Sequence, residues 1–261
     1  MQNFEILAYS IVQGITEFIP VSSSAHLYVT EIFFNWKVEG LMYALAAHLG
    51  TLLAVIYFEK KTIYLMLDKL LIKKEIDKKV LPILICILPV ILTGLIIVIF
   101  FKEIYTFNIT TIAIASIFGA VLLDISDKKK NYTKQKETLT IKNAFMIGIF
   151  QTLSLIPGMS RSGTILTASR FLGYTRTFSI EIALLTSIPV ITVASCYAIY
   201  NISLSNEQVD LYFFYITIIT FIFAFFSINL LMRWVKHFSF RIFVIYRILF
   251  GLLLILYVYL I

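Results

Sequence analysis

Pro157-Gly158-Met159-Ser160-Arg161-Ser162-Gly163-Thr164 interrupts a chain that is otherwise mostly hydrocarbon. It lies between two apolar arms, Ile141–Ile156 and Ile165–Leu172. A guanidinium keeps its charge at any ordinary pH, so placing one there is costly unless an anion or a water-filled cavity receives it. Two hydroxyls flank the arginine, and two glycines let another group approach the backbone closely. Cation, hydroxyls and accessible backbone together point to a phosphate group as ligand.

The surrounding composition sets the fold class. Of the 261 residues, 60% are hydrophobic and only 14% charged, with a mean hydropathy of +0.92. A water-soluble domain of this size has no use for so much apolar surface, so the chain reads as an all-α polytopic membrane protein. No basic segment with a short apolar core and small-residue cleavage site marks a cleaved signal peptide. The formal charge of +7 sits in short connections between apolar runs, which fits the positive-inside rule and not a nucleic-acid partner. Cys86 and Cys196 lie within apolar runs without metal-ligand spacing and read as small core residues.

Outward from the opening stretch, each apolar run can be assigned by length. Phe4–Ile19, about 16 residues, is short for a crossing. Pro20 ends it, and Ser22, Ser23 and Ser24 offer N-caps for a second short helix to about Phe34. Leu41–Phe58, Val80–Phe101, Thr110–Ile125, Phe178–Tyr200, Leu211–Met232 and Ile242–Ile261 are the six expected spans. Lysines 60, 61, 69, 73, 74, 78 and 79 mark Glu59–Lys79 as a cytoplasmic loop, with an interfacial helix around Thr62–Ile72. Six more lysines place Asp127–Lys142 on the same side, and Glu207 and Asp210 mark an acidic outer loop.

The helix after Pro157, Gly163–Leu172, rises roughly 15 Å, half of a hydrocarbon core of about 30 Å. It meets Arg170, Gly173 and Arg176, so the chain is expected to return to the side it left. This is a re-entrant hairpin, and Phe4–Phe34 is expected to be a second one entering from the opposite side. The two resemble each other: Gln13 precedes Pro20 and a serine cluster, and Gln151 precedes Pro157 and another, at spacings of seven and six residues. A single membrane domain over residues 1–261 follows, built as an inverted-topology repeat with halves of about 1–126 and 141–261 and a basic linker at 127–140.

Gln13 and Glu17, four apart, share a helix face just before the first break. Ser22, Ser23, Ser24 and His26 follow it. Ser160, Arg161, Ser162, Gly163 and Thr164 surround the second break. If both breaks direct helix N-termini at one point, that point favours an anion. Carboxylate, imidazole, hydroxyl and guanidinium suffice for base or metal ligand, acid, nucleophile and phosphate clamp. Each has a plainer reading: serines as caps, Glu17 and Arg161 as a structural ion pair, Gln13 as an interhelical hydrogen bond, His26 as a satisfied core histidine. His48 has no evident partner in sequence, and His237 lies among basic loop residues. What favours function is coincidence, because the two proline breaks followed by serine clusters carry complementary charges.

Gln13-Gly14-Ile15-Thr16-Glu17-Phe18-Ile19-Pro20-Val21-Ser22-Ser23-Ser24-Ala25-His26 resembles the first signature of the undecaprenyl-diphosphatase family, the bacitracin-resistance integral membrane phosphatases. Pro157 to Thr164 resembles its second, and Leu49-Gly50-Thr51-Leu52-Leu53-Ala54-Val55 and the placement of the basic loops are similar too. The resemblance implies hydrolysis of undecaprenyl diphosphate to the monophosphate and inorganic phosphate, recycling the cell-wall carrier lipid. It implies a divalent cation, Mg²⁺ or Ca²⁺, and a pocket facing the outer side of a bacterial plasma membrane. Together with the reading of the residues, the resemblance makes Glu17, Ser23, His26 and Arg161 the expected catalytic residues, with Gln13, Ser22, Ser24, Ser160, Ser162, Gly163 and Thr164 expected on the phosphates. Glu17 stands as base or metal ligand, and the nucleophile as a serine (Ser23), a histidine or water. Gln13 takes a position that is often glutamate in the family, and Ala25 one that is usually glycine. Membrane lipids and a polyprenyl diphosphate are the expected partners, with a homodimer a possible assembly. The rival class is a transporter or flippase for an anionic substrate, since inverted repeats with broken helices also build those.

Overall fold

The structure is a computed structural model that describes residues 2–34, 40–101, 108–128, 138–205 and 209–260. Among these residues it is all helical. The elements are α1 Gln2–Thr16, α2 Ser23–Phe34, α3 Leu41–Phe58, α4 Lys60–Leu71, α5 Val80–Phe100 and α6 Ile109–Lys128. They are followed by α7 Ile141–Gln151, α8 Arg161–Phe171, α9 Arg176–Ser205, α10 Leu211–His237 and α11 Arg241–Leu260. Six of them (α3, α5, α6, α9, α10 and α11) are long and apolar enough to cross a bilayer, as the hydropathy of the runs predicts. Lys129, Lys130, Lys134 and Lys136 of the basic linker, and Glu207, lie outside the described residues.

Several ends differ from expectation, each for a local reason. The first helix stops at Thr16, short of Pro20: Val21 N–H bonds Ile19 O at 2.7 Å in a tight turn, because a proline disfavours helix in the residue before it. In the second arm α7 ends at Gln151 and tightens into a 3₁₀ turn, Thr152–Leu155, before Pro157. The interfacial helix begins two residues early, at Lys60, with Glu59 alone separating it from α3. The α9 helix extends from Arg176 to Ser205 and α10 runs on to His237. Cys86 is buried as expected, but Cys196 is exposed. In an apolar run, residues facing protein and residues facing lipid have the same hydropathy, so the run alone cannot separate them.

The core lies where α3, α6, α8, α9, α10 and α11 converge, around Leu52, Val55, Leu123, Leu166, Leu184, Ile228 and Val244. Leu84, Leu88, Leu92 and Leu95 of α5 and Leu249, Leu252, Leu253 and Leu256 of α11 are about half exposed. This is a surface that hydrocarbon would cover. Small residues allow close packing inside; a Cβ at Gly50 would fall 2.5 Å from the Thr217 carbonyl of α10. At one end of the bundle the buried Asp127 carboxylate gathers Arg170 Nε at 2.9 Å, Arg176 Nε and Nη2 at 2.8 and 3.0 Å, and the Phe240 N–H at 3.1 Å. One acid thereby ties α6, α8 and the beginnings of α9 and α11.

The two helix breaks are joined by a residue that the sequence reading passed over. Arg247, inside the apolar run of α11, is fully buried. Its Nη2 donates to the Gly158 and Met159 carbonyls at 3.0 and 3.1 Å, and Nη1 to the Pro20 carbonyl at 3.5 Å. Broken helices leave carbonyls without intrahelical partners, and a fork of donors satisfies several at once. Room is made by Gly119 and Gly163: a Cβ at Gly119 would collide with the guanidinium, and one at Gly163 would lie 3.0 Å from it. Gly158 itself has φ +97° and packs so closely on α6 that a Cβ would fall 2.5 Å from Ile112 O.

Arg247→Met keeps the bulk and removes the donors, leaving carbonyls at both breaks unpaired. The expected cost is about 3 kcal/mol, read as a lowered unfolding midpoint of the purified protein in detergent. An unchanged midpoint would remove Arg247 from this role.

Candidate active site

The breaks place two serines in the same unusual backbone state. Ser22 and Ser160, each immediately before a helix, have φ of 76° and 67°, a left-handed conformation uncommon for residues with a Cβ. Ser160 Oγ accepts the Gly163 N–H at 3.1 Å and so caps α8. The hydroxyl two residues on sits beside each: Ser22 and Ser24 Oγ are 3.4 Å apart, Ser160 and Ser162 Oγ 3.1 Å. Ser162 also donates to the Ile19 carbonyl at 3.1 Å, linking one break to the other.

Glu17 and Arg161, distant in sequence, meet between the breaks. Arg161 Nη2 lies 2.8 Å from Glu17 Oε1, with side chains 15% and 7% exposed. Ser23 Oγ donates to the other carboxylate oxygen, Oε2, at 2.7 Å. Gln13 Nε2 donates to the same oxygen at 3.0 Å, as the one-turn spacing predicts. Both carboxylate oxygens are therefore engaged by donors that hold the charged form. Arg161 Nη1 reaches the Ser187 carbonyl of α9 at 3.4 Å, which fixes one edge of the guanidinium.

The other expected residues fall around this cluster. His26 is bonded on both ring nitrogens, Nδ1 to Ser22 O at 2.7 Å and Nε2 to Tyr246 Oη at 2.6 Å. A carbonyl only accepts, so Nδ1 carries hydrogen and Nε2 faces the tyrosine. The ring stacks on Phe250 at 4.6 Å and on Tyr246 at 5.6 Å. Thr164 Oγ1 turns back to the Arg161 carbonyl at 2.8 Å, and Gly163 gives its N–H to the cap. Those two shape the first turn of α8. Ser24 is exposed and Ser22 buried.

Of two further members, one was set aside for want of a partner and the other was missed. His48 Nδ1 is 3.4 Å from Gln13 Nε2, and Ser187 contributes its carbonyl. A signal existed for His48 and for Arg247, because an ionisable residue within a spanning run is a site candidate by default. Ser187 carries no such signal, since only tertiary packing brings its backbone to Arg161.

The donor set limits how a cation could sit here. Among the described residues no group of three or more His, Cys, Asp or Glu side chains forms a metal site. Glu17 is the cluster's one carboxylate, with the Gln13 amide oxygen and hydroxyls near it. This set suits a hard cation that arrives with phosphate oxygens and keeps water ligands, and not a closed protein cage.

With this geometry in hand, comparison with known proteins is direct. The family described as "Bacitracin resistance protein BacA" matches residues 6–253. An undecaprenyl-diphosphatase of Pelagibacter ubique (strain HTCC1062) is 36% identical over 257 residues, covering 98% of this chain and 97% of that protein. The undecaprenyl-diphosphatase of Aliivibrio salmonicida (strain LFI1238) is 35% identical, covering 96% of each. That of Campylobacter curvus (strain 525.92) is 33% identical, covering 97% and 98%. Matched from its first helix well into its last, this chain belongs to the bacitracin-resistance BacA family.

Proposed function

We propose that this chain hydrolyses undecaprenyl diphosphate to undecaprenyl phosphate and inorganic phosphate in a bacterial plasma membrane. This recycles the carrier lipid of cell-wall synthesis and confers resistance to bacitracin. The observation that carries the reading is the chain of contacts Ser23 Oγ to Glu17 Oε2 and Glu17 Oε1 to Arg161 Nη2. A hydroxyl, a base within hydrogen-bond reach and a third group orienting the base are what nucleophilic catalysis needs. Near-full-length identity to proteins named for this reaction points the same way.

In this mechanism the N–H groups of Arg161 not used by Glu17 and Ser187 grip the terminal phosphate, joined by hydroxyls of Ser22 and Ser24, while Ser160 and Ser162 hold the second break in place. Ser23 Oγ attacks the terminal phosphorus and passes its proton to Glu17, while the bond to the bridging oxygen breaks. The electron pair leaves with the lipid monophosphate, which takes up the proton. Glu17 then accepts a proton from water attacking the phosphoserine and hands it to Ser23 Oγ, releasing inorganic phosphate. Arg161 offsets the charge that develops in both steps. In the alternative role, Glu17 would with Gln13 hold a Mg²⁺ or Ca²⁺ brought by the diphosphate, and such an ion would polarise phosphoryl oxygens. His26, with both nitrogens committed, assists proton movement through Tyr246 and does not lead it.

The two broken pairs, α1–α2 and α7–α8, are re-entrant hairpins entering from opposite sides, with the site open to the outer face. Packing supports an inverted repeat of residues 1–126 and 141–261: α1 lies on α10 of the second half, as α7 lies on α5 of the first. The matching φ of Ser22 and Ser160 supports it too.

The test is phosphate release from undecaprenyl diphosphate by the purified protein in detergent. With no gradient present, turnover separates hydrolase from transporter. Wild type should release phosphate and lose activity with chelator. Glu17→Gln should fall by about 10³-fold or more while still binding the lipid, and normal turnover would end its role as base. Arg161→Lys should lose about 10²–10³-fold with folding intact, because a point charge does not replace the planar fork; full turnover would refute the clamp. His26→Gln should lose less than Glu17→Gln, and an equal loss would move His26 into the leading role.

A further inference from the structure

We infer that the groove between α2 and α11 is the binding site for the isoprenoid tail of the diphosphate substrate, and that it sets chain-length preference. The inference rests on the hydrolase reading above. The groove has a volume of about 460 Å³ and is lined by Val29, Phe33, Phe250, Leu253, Leu256 and Tyr257, among others. Its lining is almost wholly apolar, and it opens toward the side that hydrocarbon would cover. Such volume and lining are ordinary for a small-molecule site.

Continuity with the site selects the occupant. Phe250 lines the groove and also stacks on His26 at 4.6 Å. The groove thus begins at the ring that follows the serine cluster on α2. Further along, Phe33 and Tyr257 face each other at 4.3 Å between ring centroids. A diphosphate held at Ser23 and Arg161 would therefore send its first isoprene units past Phe250 and later ones along α11. Leu256 lies six residues beyond Phe250, or about 9 Å along the helix. A tail of two units has little reach there, and a tail of eleven must pass it.

The experiment compares kcat/KM for undecaprenyl diphosphate with that for geranyl diphosphate, using the full-length protein in mixed micelles. Leu256→Trp fills the groove at an exposed position, so folding is not at stake. The ratio, undecaprenyl over geranyl, should fall at least tenfold, with the loss carried by KM for the long substrate. Ile222→Trp, on the exposed face of α10, should leave the ratio unchanged. An unchanged ratio in Leu256→Trp, as expected if an ordinary acyl chain fills the groove, would overturn the assignment, as would an equal loss on both substrates. Wild-type protein inert toward both would instead refute the hydrolase reading itself.

Discussion

The ion pair between Glu17 and Arg161 is the contact on which the rest of the arrangement depends. Each charge alone in so apolar a chain would carry a large desolvation cost, and breaking such a buried pair costs about 3–5 kcal/mol. The partners come from the first and second halves of the sequence, so the pair forms only when both breaks reach the same place. Arg247 enforces this from behind, by bonding backbone carbonyls of both breaks with one guanidinium. The first arginine faces the carboxylate; the second faces the backbone that presents it.

The energetics of the breaks and the chemistry have a common origin. A helix stopped at Pro20 or Pro157 exposes backbone groups that need partners. The serines at the breaks meet that need in different ways. Ser160 is spent on capping α8, and Ser162 ties the breaks together, whereas Ser23, one residue past the cap, is free to turn toward Glu17. Holding Ser22 and Ser160 at positive φ is a local cost, and outliers of this kind cluster where geometry matters more than stability.

Much of this was legible in the residues. The six long helices follow from runs of apolar residues, and Gln13, Glu17, Ser23 and Arg161 follow from two motifs and a one-turn spacing. Helix ends were less legible, because Thr16 and Gln151 stop their helices through tight turns that hydropathy does not register. His48 was set aside and Arg247 passed over, although an ionisable group within an apolar run marks both. Which way each faces is invisible when every side of a helix is apolar, and the same ambiguity put Cys196 in the core. The bonds of His26 to Ser22 and Tyr246 could not be read at all, since Tyr246 is one tyrosine among fifteen.

The central claim is that Glu17 and Arg161 act as one unit across the two halves. A double-mutant cycle on kcat/KM for undecaprenyl diphosphate, with Glu17→Gln, Arg161→Lys and both together, tests it most directly. Residues that act as a unit are strongly non-additive, so the double variant should be no slower than the worse single variant by more than a few-fold. Losses that multiply, with no coupling between the positions, would show that the two residues work apart and would contradict the account.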